Sequence, residues 1–348
     1  MSNIVVRLLN AGYPTETRGY PLEETIINFA KKEVPFATNL NRNGDYEDFY
    51  ENFMRLYYVA LNYKQEEITI HHNDNYYSYA TKALLTKEEI TSILKQETTI
   101  LYGMKHEAER TEQDFLADAY CNSKAYHKYA NRYAEVLGFP EDPEDEPTTF
   151  LPENENALTQ IKNLRNKCIH KFVLKDTRPK HGIYFINLTS VPNTDESLIE
   201  YMKTYFTENG NDWGMYYLLS GKPTYIVQEY KQMKYEYRFF IINGKLTSGA
   251  GCIEEHTPLA NTKQFNTLVE ENRNNSPIED NPNLIQRYIT IAENITSLTN
   301  ETEPQLKNYT IDLCLYEDDT IGMIERNSSS NSGLYAQDLN RIVQALKK

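Results

Sequence analysis

Three oxygen-bearing residues near the carboxy-terminal end have a spacing that could bring them to one ion. Asp312 lies in Tyr309-Thr-Ile-Asp-Leu-Cys-Leu-Tyr, and Glu325 and Asn327 lie in Thr320-Ile-Gly-Met-Ile-Glu-Arg-Asn. Both runs are apolar and strand-like, and Glu317-Asp-Asp between them reads as a turn, so the segment is predicted to fold as a hairpin. Residues two apart on a strand share a face, which sets Glu325 beside Asn327 and leaves Asp312 on the facing strand. Hard oxygen donors with positions left for water and phosphate suit magnesium better than an all-protein cage would. The neighbours Ile311, Leu313, Leu315, Met323 and Ile324 are apolar, so acids among them need a cation or a polar partner. The competing reading is a solvated hairpin with its acids outward.

Upstream, charged residues stand on or beside further strand-like runs. Phe172-Val-Leu-Lys175 ends on an ammonium, a compact charge suited to phosphate, although a lone lysine is more often a plain surface residue. Arg178 and Lys180, in Asp176-Thr-Arg-Pro-Lys-His-Gly, add cationic charge in the loop that follows. Tyr225–Glu229, followed by Tyr230, is a second run, and Tyr235–Ile242, which carries Glu236-Tyr-Arg238, is a third that turns at Asn243-Gly244 into Lys245–Ser248. Each feature alone is more often structural than functional. Their order carries the information.

A lysine strand, a Gln-Glu-Tyr strand, an acid-x-Arg strand and an Asp…Glu-x-Asn hairpin, in that sequence, resemble the ATP-grasp superfamily over roughly half of the chain. The resemblance implies an α+β fold over 156–348, with two α+β subdomains gripping Mg-ATP. It implies an ATP-dependent, ADP-forming carboxylate–amine ligase that works through an acyl-phosphate. Lys175 and Arg238 would then be catalytic. Lys175, Lys180, Gln228, Glu229, Tyr230 and Glu236 would hold the nucleotide, the Glu229 carbonyl and Tyr230 amide reading the adenine edge. Asp312, Glu325 and Asn327 would hold magnesium. Arg238 would face phosphate or acyl-phosphate, and Glu236 ribose or a metal. The layout is similar to compact phage-type members, for which small-molecule, amino-acid or peptide substrates are implied. Ser328–Ser332 stand where relatives often carry Asn-x-Arg-x-Gly, and Arg326 precedes Asn327 instead of following it. A non-catalytic module that binds nucleotide or protein through the same shell is the alternative. A nucleotidyltransferase with a covalent lysine adduct fits less well, because Lys175-Asp-Thr-Arg lacks a K-x-D-G arrangement.

The elements that must position these residues are readable in outline. Residues 1–140 begin with a strand (Ile4 to Leu9) and then read as mostly helical, with helices from Pro21, over about Tyr46–Tyr63 and through Thr86–Leu137. This region could serve as a substrate domain. Residues 141–155 are acidic and proline-rich and form the predicted linker. Beyond it, helices are predicted over about Asn156–Lys167, Asp195–Phe206, Asn283–Leu298 and Tyr335–Leu346, with the strands named above between them.

At 348 residues, 40% of them hydrophobic, the chain can bury two or three cores. A net charge of −14 opposes binding to polyanions over long range and argues against nucleic acid as the main partner. Cys121, Cys168, Cys252 and Cys314 form no C-x-x-C pair and read as reduced, mostly buried thiols. No run reaches membrane-span length, and the amino terminus shows no signal-peptide pattern, so the expected location is the cytoplasm, the host's for a viral protein. Residue patterns leave oligomeric state open.

Overall fold

The computed structural model describes residues 4–7, 55, 58–59, 62, 67–72, 75–78, 83–95, 99–101, 110–137, 155–176, 183–208, 225–251, 281–334 and 337–348. The chain divides into two compact units. The first comprises Met1–Ala117, Met233–Leu315 and Ile324–Lys348, and the second Asp118–Gln232 with Tyr316–Met323. The linker expected at 141–155 lies almost wholly outside the described residues.

The first unit holds two sheets. One contains β1 (Ile4–Arg7), β2 (Ile68–His72), β3 (Asn75–Ser78), β4 (Ala83–Leu84) and β5 (Thr99–Leu101), in the order β4-β3-β2-β1-β5. β1 pairs in parallel with both β2 and β5, and Ile4, Val5 and Val6 are fully buried, as a central parallel strand requires. Five strands thus stand in a region expected to be mostly helical. The helices expected from Pro21 and over Tyr46–Tyr63 lie largely outside the described residues. Thr86 does start a helix, α1 (Lys87–Lys95): the Glu89 carboxylate accepts from the Thr86 amide at 2.8 Å, and the Thr86 hydroxyl accepts from the Glu89 amide at 3.3 Å. α2 (Glu112–Asp118) follows.

The second sheet of this unit, β11-β10-β12-β13, holds β10 (Met233–Ile242), β11 (Lys245–Gly251), β12 (Tyr309–Tyr316) and β13 (Ile321–Ser328). β10 and β11 join through Asn243 and Gly244, both at positive φ (51° and 67°), the pairing that a two-residue hairpin turn demands. α6 (Pro282–Thr302) packs on β10 and β11, as does α7 (Leu339–Leu346), which buries Leu339, Ile342 and Val343. The expected α7 start at Tyr335 falls outside the described residues, and Asp338 caps the observed helix by accepting from the Arg341 amide at 3.1 Å.

In the second unit, α3 (Lys124–Tyr129) leads to the sheet β6-β9-β7-β8, made of β6 (Ala134–Leu137), β7 (Lys171–Asp176), β8 (Ile183–Asn187) and β9 (Tyr225–Glu229). β6 had been expected to continue a helical stretch. Its pairing with β9, some ninety residues on, overrides the local pattern (Ala134 lies opposite Gln228). α4 (Glu155–Asn166) and α5 (Asp195–Glu208) cover one face, where Ile161, Leu164, Phe172, Leu174, Ile186 and Leu198 form the core.

Cys121 and Cys314 are buried, whereas Cys168 is exposed. Among the described residues, no helix is long and apolar enough to cross a membrane.

Candidate functional site

Three consecutive strands of the β11-β10-β12-β13 sheet carry four of the polar residues singled out in the sequence. Arg238 is on β10, Asp312 on β12, and Glu325 and Asn327 are on β13. The period of two works on β13: the Asn327 amide donates to Glu325 Oε1 at 2.6 Å, and both side chains are partly exposed. Arg326, between them, points the other way and is fully buried.

Asp312 is only 1% exposed, and its carboxylate is taken by a guanidinium. Arg238 Nε donates to Oδ1 at 2.7 Å and Nη2 to Oδ2 at 2.7 Å, while Nη1 donates to the Gly333 carbonyl at 3.2 Å. A buried carboxylate needs a counter-charge, and the planar fork of arginine meets both oxygens at once. Of the two answers expected for Asp312, a cation or a polar partner, the described structure supplies a partner, Arg238. The pairing is non-local, since the partner lies 74 residues upstream. Gln337, fully buried, donates to the Arg238 carbonyl at 2.9 Å and so ties down the arginine's main chain.

As a cation site, this set fits in part. Glu325 and Asn327 offer adjacent oxygen donors on a half-buried strand, as a hard divalent ion requires. Asp312 would share its carboxylate with Arg238. Among the described residues, no group of three or more His, Cys, Asp or Glu side chains is arranged to hold a metal.

Around this set, other polar residues have structural partners. Arg326 forms a two-pronged pair with Glu303 (2.8 and 2.9 Å) and donates to the carbonyls of Leu116 and Ala117 at 2.9 and 3.1 Å. It thereby ties β13 to the ends of α2 and α6. The serine tract turns inward. Ser328 and Ser330 both donate to Asp114 Oδ1, Ser330 at 2.7 Å, and Ser332 bonds to the Ser328 carbonyl at 2.7 Å. The other oxygen of Asp114 accepts from Thr111 at the start of α2. The hydroxyls therefore complete a buried network.

In the second unit, Lys175 stands near the end of β7, its ammonium 5.7 Å from the centre of the Tyr120 ring. Register places Lys175 opposite Ile183 and Val173 opposite Phe185, and such cross-strand partners share a face. Ile183 and Phe185 are 51% and 58% exposed, and Tyr230 meets Phe185 edge-on at 6.1 Å. An apolar shelf therefore flanks the lysine. Ile183, Phe185 and Tyr230 form it, and the alternation in Ile183-Tyr-Phe-Ile-Asn was the signal available for the first two.

The Gln-Glu-Tyr strand is more occupied than expected. The Gln228 amide is buried and donates to the Tyr126 hydroxyl, whose pKa burial raises. The Glu229 amide donates to the Tyr133 carbonyl at 2.8 Å, and the Glu229 carboxylate accepts from the Tyr133 amide at 3.1 Å. The Tyr230 amide donates to the Lys171 carbonyl at 3.0 Å. That bond engages the amide expected to read the adenine edge. Glu236 lies on β10 two residues before Arg238, partly buried. Arg178, Lys180 and His181, with the loop they occupy, fall outside the described residues, as does His256.

No family model matches the chain, and no curated protein matches it. Among solved structures it is similar to a D-cycloserine synthetase, at 14% identity over 99% of this chain and 98% of that one, with a TM-score of 0.44. It is similar to the phosphoribosylamine–glycine ligase of Thermotoga maritima, at 12% identity over 95% and 69% of the two chains, with a TM-score of 0.46. A third is the ATP-grasp ligase PsnB, complexed with minimal-precursor variant, Mg and ADP, at 8% identity over 100% and 98%, with a TM-score of 0.40. Each is a protein that this chain is similar to, and at these scores the roles of its residues rest on its own geometry.

Proposed function

We propose that the protein is an ATP-dependent carboxylate–amine ligase of the ATP-grasp type, acting on a small molecule, amino acid or peptide. The observation that carries the reading is the succession Arg238, Asp312, Glu325-Asn327 on three neighbouring strands, with a buried guanidinium–carboxylate pair on two of them and a partly exposed carboxylate–amide pair on the third.

In this reading the γ-phosphoryl group of ATP passes to a carboxylate oxygen of the substrate and ADP leaves. The amine nitrogen then attacks the acyl carbon, phosphate departs, and the amine gives up a proton. Such transfers depend on positioning and charge neutralisation more than on covalent help from protein. Lys175 and Arg238 balance phosphate charge, and Lys180 adds to it. The Ile183, Phe185 and Tyr230 shelf offers apolar surface to a flat base beside the lysine. Glu229 contributes its main-chain carbonyl, Gln228 holds β9 through Tyr126, and Glu236 faces the ribose. Asp312, Glu325 and Asn327 would hold magnesium, which when bound neutralises charge that develops on the phosphate oxygens.

A second reading, a binding module without turnover, draws on the inward-turned serine tract and on the closure of Arg238 over Asp312. Phosphate release separates the two. Wild-type protein given Mg-ATP with a panel of carboxylic acids and amines is expected to release phosphate only when one matching pair is present. A panel that yields no phosphate while ATP still binds would favour the module. Incubation with labelled ATP should leave no protein adduct, which sets the ligase apart from a nucleotidyltransferase.

A further inference from the structure

Tyr235 stands inside β10 with φ at +52°, in the left-handed region that bulky residues avoid. A side chain stays there only where its surroundings hold it, and such residues cluster at sites where function needs them. Here the holder can be named. Tyr288 on α6 is fully buried, donates its hydroxyl to the Tyr235 carbonyl at 2.8 Å, and stacks its ring on Tyr237 at 5.5 Å between centres. Burial pushes its phenol far above the ordinary tyrosine value.

The consequence falls on the next residues. A left-handed residue interrupts the two-residue alternation of a strand, so the side chains after it follow a reset phase. Glu236 comes directly after Tyr235, and Arg238 comes two residues later, where it meets Asp312. Resting on the ligase reading above, we propose that Tyr288 is a positioning residue: its hydroxyl fixes the left-handed backbone at Tyr235 and thereby aims Glu236 at the ribose and Arg238 at the phosphate groups.

Tyr288→Phe keeps the ring and its stacking and removes only the donor. The expected result is a fall of about tenfold in kcat for ATP-dependent phosphate release, the rate equivalent of about 1.4 kcal/mol, with KM for ATP nearly unchanged. Adding Tyr235→Gly should restore kcat to within about threefold, because glycine holds a positive φ without the steric penalty. If that double variant does not fold, Tyr235→Asn serves in its place, since asparagine also tolerates this region. A wild-type kcat in Tyr288→Phe, or no rescue in a folded double variant, overturns the inference. A second readout needs no substrate. The Arg238 Nε proton, bonded to Asp312, gives its own nitrogen–proton resonance, which should shift in Tyr288→Phe and return in the double variant. If that happens in a protein that releases no phosphate, the ligase reading fails and the positioning role stands. If the resonance does not move, the positioning role fails whatever the activity.

Discussion

Arg238 closes on Asp312 with two parallel bonds of 2.7 Å, in a place where the carboxylate is 1% exposed. The pair joins β10 to β12 at the heart of the proposed site, and it sets the residue that would meet phosphate against one that would meet metal.

Breaking this pair from one side should be costly. Asp312→Asn leaves a buried guanidinium without its counter-charge, and a loss of about 3–5 kcal/mol is expected. Replacing both partners by apolar residues (Arg238→Met with Asp312→Leu) should cost less than either single change. Urea unfolding of wild type, Arg238→Met, Asp312→Leu and their double checks this, with Asp312→Asn measured alongside, and simple addition of the Arg238→Met and Asp312→Leu losses would count against a coupled buried pair.

Arg326 and Glu325 are adjacent in sequence and should behave oppositely. Arg326→Met removes the anchor to Glu303, Leu116 and Ala117 and is expected to lower stability by about 3 kcal/mol or more. Glu325→Ala touches a half-buried side chain that accepts from the Asn327 amide, and its unfolding midpoint should stay close to that of the wild type while ATP-dependent turnover disappears. Thermal unfolding alongside phosphate release measures both.

Among the described residues β8 is an edge strand, and its edge is guarded. The outward amides of Phe185 and Asn187 donate to the hydroxyls of Tyr205 and Tyr201 on α5, at 3.1 and 3.3 Å. Edge donors left open invite pairing with another strand. Tyr205→Phe is expected to speed amide exchange at Phe185 alone, Tyr201→Phe at Asn187 alone, each by about tenfold, the loss of one modest hydrogen bond. Equal exchange in wild type and variants would remove the guarding role.

The cap of α1 sets an acid dependence. The main-chain amide of Thr86, and then its hydroxyl, hold the Glu89 carboxyl below the usual glutamate range. A carboxyl lowered on folding adds stability above its unfolded pKa and loses that stability as pH falls through the folded value. The contribution should therefore fade in the acid window below about pH 4.3, the unperturbed glutamate value. Nuclear magnetic resonance titration of Glu89 in wild type and Thr86→Ala tests it. The variant's carboxyl should titrate higher, and an unchanged titration would contradict the cap.

Local signals made much of the fold legible. The hairpin turn at Asn243-Gly244, the Thr86 cap, α5 and the β12 and β13 strands all follow from short-range chemistry, and so does the meeting of Glu325 with Asn327. What escaped reading depends on distant partners. β6 became a strand because β9 was there to pair with it, and β2 to β5 are short runs whose tyrosines and histidines blur the alternation. The Arg238–Asp312 pair, the inward serines and the bond that occupies the Tyr230 amide each join residues far apart in sequence. No spacing rule could have shown them.

Calorimetric titration of Mg-ATP tests the central claim most directly, with wild type and Glu325→Ala compared with and without magnesium. The account predicts saturable one-to-one binding in wild type that needs the metal and weakens at least about tenfold in the variant, the loss of one charge-assisted contact. No binding by wild type, or equal binding by both proteins, would contradict it.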